Sequence, residues 1–354
     1  MYIVIAVIAF GILIAVHEIG HFTAAKLLGV KVNEFAIGMG PKLLKKQGKE
    51  TLYSLRAFPL GGFCSMEGEN EGTDDPRSFL AQKRWRRIVI LLAGSAANFI
   101  AAFVIVCVLT SGATGFIGTT ITGLLDGFPN KGENGLMAGD TVISINGERL
   151  YYREDFSMFV QFVKNGRADL VIRRNGERIS LPGFPLERRE YQVNGKTELL
   201  FGITFNEIEA TAREKLNYSI YQSLNFVRLI RVSLAQLFSG EASIRDMSGM
   251  VGIVDAVNTI GQDAAAQYGF LAALRTIAYF MAFIGVNLAV MNMLPIPALD
   301  GGRILFVFIT WFIEKIIRRR LDPKYEGYIN TTAMVLLLGF MAVLLINDVV
   351  KLIR

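Results

Sequence analysis

The chain has 354 residues, 52% of them hydrophobic and 19% charged, with a net charge of +6 and a mean hydropathy of +0.40. It is too apolar for an ordinary soluble protein and too charged to be membrane helix throughout, so several spans and at least one aqueous domain are expected. The charge distribution argues against a nucleic-acid surface. Eleven Lys/Arg fall within residues 31–87, ending in Lys83-Arg84-Trp85-Arg86-Arg87 before an apolar run, whereas residues 113–205 balance eleven basic with eleven acidic side chains. Basic residues crowded beside span ends mark the cytoplasmic side of a membrane.

Residues 2–28 form the first apolar run, whose only charged residues are Glu18 and Lys26. No basic segment precedes it and no small-residue cleavage site closes it, so it reads as a span and not as a signal peptide. Lys26 and Lys31 assign its far end to the cytoplasm. Inside it lies His17-Glu18-Ile19-Gly20-His21. On a helix, positions i and i+4 stand one above the other, so His17 and His21 can grip one metal ion while Glu18 reaches a water on it. This is the H-E-x-x-H arrangement of zinc hydrolases, here set in a membrane span.

Residues 33–66 predict a β-hairpin or small sheet close to the membrane: Thr51–Phe58 is strand-like, Lys45–Lys49 turn-prone, and glycines 38, 40, 61 and 62 punctuate both sides. Such a sheet is either an ordinary connection or an edge that captures an unwound substrate segment by strand addition. Residues 67–82 are an acidic surface loop, and residues 88–112 the second span, running outwards. Within that span Asn98 is either packing glue between helices or a contact for substrate. Cys64 and Cys107 have no CxxC partner; one lies in the basic region and one in an apolar run, so both read as small buried residues.

Residues 113–206 read as the aqueous domain, with short apolar strands set off by Asn146-Gly147, Asn175-Gly176 and Asn194-Gly195. The stretch Asn134–Gly147 resembles the A-G-L-x-x-G-D-x-I-x-x-I-N-G signature of bacterial PDZ domains, which bind extended peptide ends by strand addition. A spacer or size filter is the simpler alternative. Residues 207–269 form a linker containing a helix with Leu216, Ile220, Leu224 and Val227 on one face; its charges place it at the interface and not across the membrane. Residues 270–294 are the third span, running inwards, and 331–347 the fourth, separated by a cytoplasmic loop marked by Lys315, Arg318, Arg319, Arg320 and Lys324.

The chain has only two histidines, so any further protein ligand must be Asp, Glu or Cys. The third span ends in Asn292-Met293-Leu294-Pro295-Ile296-Pro297-Ala298-Leu299-Asp300-Gly301-Gly302. Two prolines one residue apart break the helix, and such backbone is tolerated at membrane depth only where protein buries it or a wet cavity adjoins it. Asp300 sits at the cytoplasmic end, on the side of the two histidines. Two imidazoles and a carboxylate, with the fourth position left to water, make a catalytic zinc site. The plainer role for Asp300 is a helix cap.

Together HEIGH, G-x-G-P, FPLGG, AGSAANF, the PDZ-like insert and N-x-L-P-x-P-x-L-D-G resemble the site-2 protease family over essentially the whole chain, bacterial members such as the regulator of sigma-E protease most of all. The resemblance implies a polytopic α-helical membrane protein of four transmembrane helices, with a membrane-associated β-hairpin and an inserted PDZ-like domain. Its domains would be 1–112, 113–206, 207–269 and 270–354. It implies a Zn2+ ion on His17, His21 and Asp300, Glu18 as base, and Asn292 at the active site. It further implies an intramembrane endopeptidase of the bacterial inner membrane, active towards the cytoplasmic side. Its substrates would be single-span proteins, such as anti-sigma factors or signal-peptide remnants, gated or bound by the PDZ-like domain. Ser95, Met250 and Arg303 depart from the family pattern, and relatives with two PDZ-like domains leave substrate selection open.

Three rival readings remain. A membrane-anchored zinc peptidase acting on soluble chains needs its metal helix in water. A non-catalytic PDZ-bearing scaffold would have lost a catalytic residue. A proton-relaying transporter would show repeated broken helices.

Overall fold

The computed structural model describes residues 2–69, 73–193, 195–240, 250–319, 327–329, 331–336, 339, 341 and 343. They divide into two compact units, one made of Met1–Val106 with Phe226–Arg354 and the other of Cys107–Asn225.

Helix α1 (Tyr2–Leu27) is continuous because nothing in its 26 residues breaks it. It ends at Gly29, whose φ of +81° only glycine adopts cheaply. Val30 N–H then donates to Ala25 O at 2.8 Å and Gly29 N–H to Lys26 O at 3.2 Å, the paired bonds of a Schellman stop. Strands β1 (Val32–Gln47) and β2 (Leu52–Met66) pair antiparallel, turning where Gly48 N–H meets Thr51 O. The hairpin is more folded than its sequence predicts. Each of Glu34, Phe35, Ala36 and Ile37 is registered with two β2 residues, one from Leu52–Leu55 and one from Gly62–Ser65. Both strands therefore double back, at Gly38 and Gly40 and at Gly61, all with positive φ. Among the described residues, the strand partners of Gly62–Met66 lie only in Val32–Ile37, which leaves it as an edge. Helix α2 (Arg84–Ser111) follows, pressed so closely on α1 that a Cβ at Gly20 would stand 2.3 Å from Ala93 O.

The second unit holds β3 (Gly115–Leu124), β4 (Thr141–Ile145), β5 (Glu148–Arg149), α3 (Arg153–Phe159), β6 (Arg167–Arg174), β7 (Glu177–Pro185), β8 (Arg189–Val193), β9 (Lys196–Leu200) and β10 (Ile203–Glu209). Its main sheet has the order β10-β3-β4-β6-β7 with β5 on β4, and β8–β9 is a separate hairpin. Asn146-Gly147 and Asn175-Gly176 have positive φ at both residues, the turn that matches strand twist in a tight hairpin. Asn194 of the third expected turn lies outside the described residues. Ile121, Val142, Ile145, Leu170 and Ile172 are buried to 1% exposure or less. Asp140 of the PDZ-like signature serves the fold: both its oxygens accept Arg174 at 2.8 Å, and Arg174 also donates to Glu133 O and Gly135 O.

Helix α4 (Ala212–Phe238) turns an apolar side outwards, as an interfacial helix does, and buries polar side chains. Leu216, Ile220 and Leu224 are exposed, whereas Ser219, Gln222 and Ser223 are buried. The buried hydroxyls are satisfied within the protein: Ser219 donates to Lys215 O and Ser223 to Ser219 O. Further along, Phe226 and Ile230 pack with Ala102, Val106, Ala282 and Val286.

Residues 250–268, expected as linker, are instead helix α5 (Met250–Tyr268), joined through Gly269 to α6 (Phe270–Asn292). Val257 of α5 shares a core with Tyr2, Phe10 and Leu13 of α1 and with Ala273, Ile277 and Met281 of α6. Asp255 and Asp263 dilute the apolar pattern of α5, which hides it in the sequence. The stretch expected as a loop after the third span is also helical. Helix α7 (Asp300–Ile317) runs 18 residues and stops at Arg318 with φ +53°. Its basic tail reads as a loop marker in sequence, but Lys315 sits in the last helical turn, where a cation suits the helix dipole. Of the expected fourth span, 331–347, residues 331–336, 339, 341 and 343 are described and helical, and the others lie outside the described residues, as do Arg320 and Lys324.

Among the described residues three helices, α1, α2 and α6, are long and apolar enough to cross a membrane. The protein is an integral membrane protein with a β-rich part.

Candidate metal centre

The HEIGH helix and the turn after the third span converge. His17 Nε2 lies 3.1 Å from His21 Nε2, and Asp300 Oδ2 lies 3.3 Å and 3.2 Å from the two. These are the residues among those described whose donor atoms could share one metal ion. Three donors held at about 2.0–2.1 Å in tetrahedral directions stand about 3.3 Å apart, so the observed triangle has the size a zinc ion requires. The donor chemistry fits as well. His21 Nδ1 lies 2.8 Å from Ile90 O, which can only accept, so Nδ1 carries the proton and Nε2 presents its lone pair to the cluster. Among the described residues Asp300 Oδ2 is buried with no hydrogen-bond partner, the state of an atom that needs a cation.

Each side chain is delivered by local backbone. The helical repeat stacks His17 and His21 on one face of α1. Opposite them α2 carries Gly94, where a Cβ would lie 2.4 Å from His21 Nε2 and 2.7 Å from His17 Cε1. Only glycine leaves room for both rings. In the sequence this residue stands out only through the AGSAANF stretch, which places it among small side chains. On the far side, Pro295 and Pro297 interrupt the helical path and Ala298 takes φ +76°. Gly301 and Gly302 then fold against the end of α6, where added Cβ atoms would stand 2.2 Å from Met293 O and 2.1 Å from Ile296 O. Asp300 is thus the first residue of α7, with Leu299 in the cap position, and its carboxylate is aimed at the imidazoles.

A cavity of about 360 Å³ opens onto the triad, lined also by Glu18, Asn292 and the β2 edge from Phe63 to Met66. Asn292 Nδ2 is 3.5 Å from His17 Nε2. Gly62 keeps the edge close to Glu18, since a Cβ there would lie 3.2 Å from Glu18 Cγ. Cys64 is part of this wall as a free, buried thiol whose pKa burial and then Glu18 push up, which keeps it protonated. Cys107, also free, is half-buried on α2. Asn98, one turn past Gly94, does not line the cavity. It is fully buried, and neither side-chain atom has a hydrogen-bond partner among the described residues. Sequence reasoning overlooked Gly94 and Glu69, and noted Arg303 only as a departure; Glu69 and Arg303 both line the cavity.

A membrane-embedded helix bundle that gathers two imidazoles and a carboxylate beside a glutamate has the make-up of a zinc-dependent peptidase. The chain belongs to Peptidase family M50, the site-2 protease family, whose family model matches residues 5–340. It is a peptidase of that zinc-dependent family. It is 38% identical over 352 residues to a protein of Clostridium acetobutylicum named "putative zinc metalloprotease", covering 98% of this chain and 97% of the relative. A protein of the same name from Clostridium perfringens is 36% identical over 353 residues, covering 99% of each chain. The regulator of sigma-W protease RasP of Bacillus subtilis is 26% identical over 440 residues, covering 98% of this chain and 97% of RasP.

Proposed function

We propose that the chain is an intramembrane zinc endopeptidase that cleaves transmembrane segments, with zinc on His17, His21 and Asp300 and with Glu18 as general base. The observation that carries the reading is the triangle of donor atoms, 3.1–3.3 Å on a side, two of whose corners sit on a helix apolar enough to span a membrane. When bound, zinc supplies Lewis acidity that makes a water acidic near neutral pH and polarises the scissile carbonyl. Glu18 takes a proton from the attacking water and passes it to the leaving amide nitrogen, so the bond ends as a carboxylate and an amine. Asn292 donates its amide N–H either to the carbonyl oxygen as it gains charge or to the substrate backbone. Asn98, proposed from the sequence as a substrate contact, would have to move to reach a substrate.

A peptide bond inside a helix is shielded by its own hydrogen bonds. The edge Gly62–Ser65, with no second strand partner among the described residues, borders the cavity and offers backbone partners to a segment that has unwound, by strand addition. The second unit is then a PDZ-like extracytoplasmic domain that binds or gates substrates. Its antiparallel sheet, with β10 and β7 at the ends, supports that reading. Basic residues at the α2 start and α7 end favour a multi-pass protein of the bacterial inner membrane, with a fourth span at 331–347 and the site towards the cytoplasm. RasP is named a regulator of sigma-W protease; with the site-2 protease resemblance of the sequence, this favours single-span membrane proteins such as anti-sigma factors as substrates, and signal-peptide remnants have the same form. The four segments 1–112, 113–206, 207–269 and 270–354 are retained as the functional division, with α5 now the second half of the third.

Glu18→Gln tests the assignment. The variant, reconstituted in bilayers with a tagged single-span substrate, is expected to keep its zinc by metal analysis. Its cleavage rate should fall by roughly 10²–10⁴-fold or more. Cleavage at the wild-type rate would sink the assignment of the base.

A further inference from the structure

We propose that Arg303 and Glu69 are positioning residues that hold Asp300 in register with His17 and His21, by tying the first turn of α7 to the end of β2. The inference rests on the zinc reading of the site.

Arg303 follows Asp300 at i+3 on α7, so the two share a face of the helix. Its Nη1 is ion-paired with Glu69 Oε1, and its Nη2 lies 3.3 Å from Glu69 O. Glu69 Oε2 in turn accepts the Met66 N–H at 3.1 Å, at the last residue of β2. The guanidinium also sits 5.2 Å from the ring centre of Phe79, a fully buried side chain. The pair is well shielded, with side-chain exposures of 14% for Arg303 and 20% for Glu69, where a charge-assisted bond gains more than at an open surface.

Along the rest of α7, Ile304 packs against the core that holds Phe79, Val307 is buried and Glu314 is ion-paired with Arg84. Leu305, Phe308, Ile309, Trp311 and Phe312 are exposed, and its buried residues are Gly301, Gly302 and Val307. The glycines set how closely the first turn approaches α6, but a glycine carries no side chain to resist rotation about the helix axis. In the first turn, beside Asp300, Arg303 reaching sideways to a fixed strand end supplies that resistance. A small rotation of α7 would swing the Asp300 carboxylate away from the imidazoles, and groups behind a metal ligand commonly set its affinity.

Charge alone predicts the opposite sign, which makes the idea testable. A guanidinium in the same cavity as a dication repels it, so without a positioning role the loss of Arg303 would tighten zinc binding. Zinc affinity is measured on the full-length protein in detergent by chelator competition. Arg303→Gln is expected to weaken it by about 10–100-fold, with kcat lowered and KM within about twofold of wild type. Arg303→Lys should recover part of the loss. In a double-mutant cycle, Glu69→Gln with Arg303→Gln should be no weaker than the worse single variant, because both remove one tie. Unchanged or tighter zinc binding in Arg303→Gln, or effects that simply add in the double variant, would overturn the proposal. Asp300→Ala separates the two layers. If it binds zinc as wild type does, the zinc reading fails; if it loses zinc while Arg303→Gln does not, only the positioning role fails.

Discussion

The sheet of the second unit turns through Asn-Gly pairs, keeps its large apolar side chains inside, and exposes only Leu199 among the large hydrophobics of β3–β10. The β1–β2 sheet bends at glycines, pairs Glu34–Ile37 twice, and leaves Ile37, Met39, Leu43, Leu44, Tyr53, Leu55 and Phe58 exposed. In water such a surface, with an open edge beside it, invites aggregation. Next to lipid it costs nothing, and that is the surroundings the proposed membrane-associated sheet would have. The contrast separates a sheet that finishes its own core from one whose open edge borders the proposed metal site.

Substitutions in the two parts should therefore have separable effects. The largest is expected at Gly94→Ala, where the new methyl group collides with both imidazoles. Zinc affinity should fall by about 100-fold or more, while circular dichroism and the folding of the second unit stay unchanged. Retention of zinc at wild-type affinity would show that α2 yields at this contact. In the second unit, Arg174→Met strands the buried Asp140 carboxylate, which costs about 3–5 kcal/mol when one partner of a buried pair is removed. Proteolysis within residues 113–206 should rise, with zinc content and cleavage of a short transmembrane peptide preserved. Loss of zinc in that variant would mean that the two units are not energetically separate.

The smallest effect is a pH dependence confined to β1–β2. Burial works against the Glu34 carboxylate, but hydrogen bonds from Ser54, Arg56 and Lys42 outweigh it and hold its pKa down at about 2, against 4.5 when unperturbed. The folded pKa lies below the unfolded one, so the stabilisation is complete above about pH 4.5 and is lost as pH falls towards about 2. Hydrogen exchange across β1–β2, compared between about pH 5 and pH 3 after correction for intrinsic rates, should show loosening at the lower value. Glu34→Gln should remove that dependence; if it does not, another group governs the sheet.

Much of this was legible in the sequence because it is local. His17 and His21 are one helical turn apart in an apolar run, so their common face follows from the repeat alone. The Asn-Gly turns follow from backbone sterics at two residues. Asp300 was found by elimination, because two histidines leave a zinc site short of a ligand and a double-proline break at a span end is costly without purpose. Helices α5 and α7 were hidden for the converse reason: acidic residues in one and a basic tail on the other resemble linker and loop. On α4 the exposed Leu216, Ile220 and Leu224 give the outward apolar face of an interfacial helix, while the burial of Ser219, Gln222 and Ser223 against the rest of the protein left no mark in the sequence pattern.

By itself, then, the sequence determined the kind of chemistry, since imidazole, carboxylate and their helical spacing are properties of neighbouring residues. Only the tertiary structure decided how that chemistry is assembled. The glycine that makes room for the imidazoles, the double pairing of β1, the strand edge at the cavity and the Arg303–Glu69 tie each depend on atoms far apart in the chain. Such contacts are set by close packing, and packing leaves no mark on the local pattern of residues.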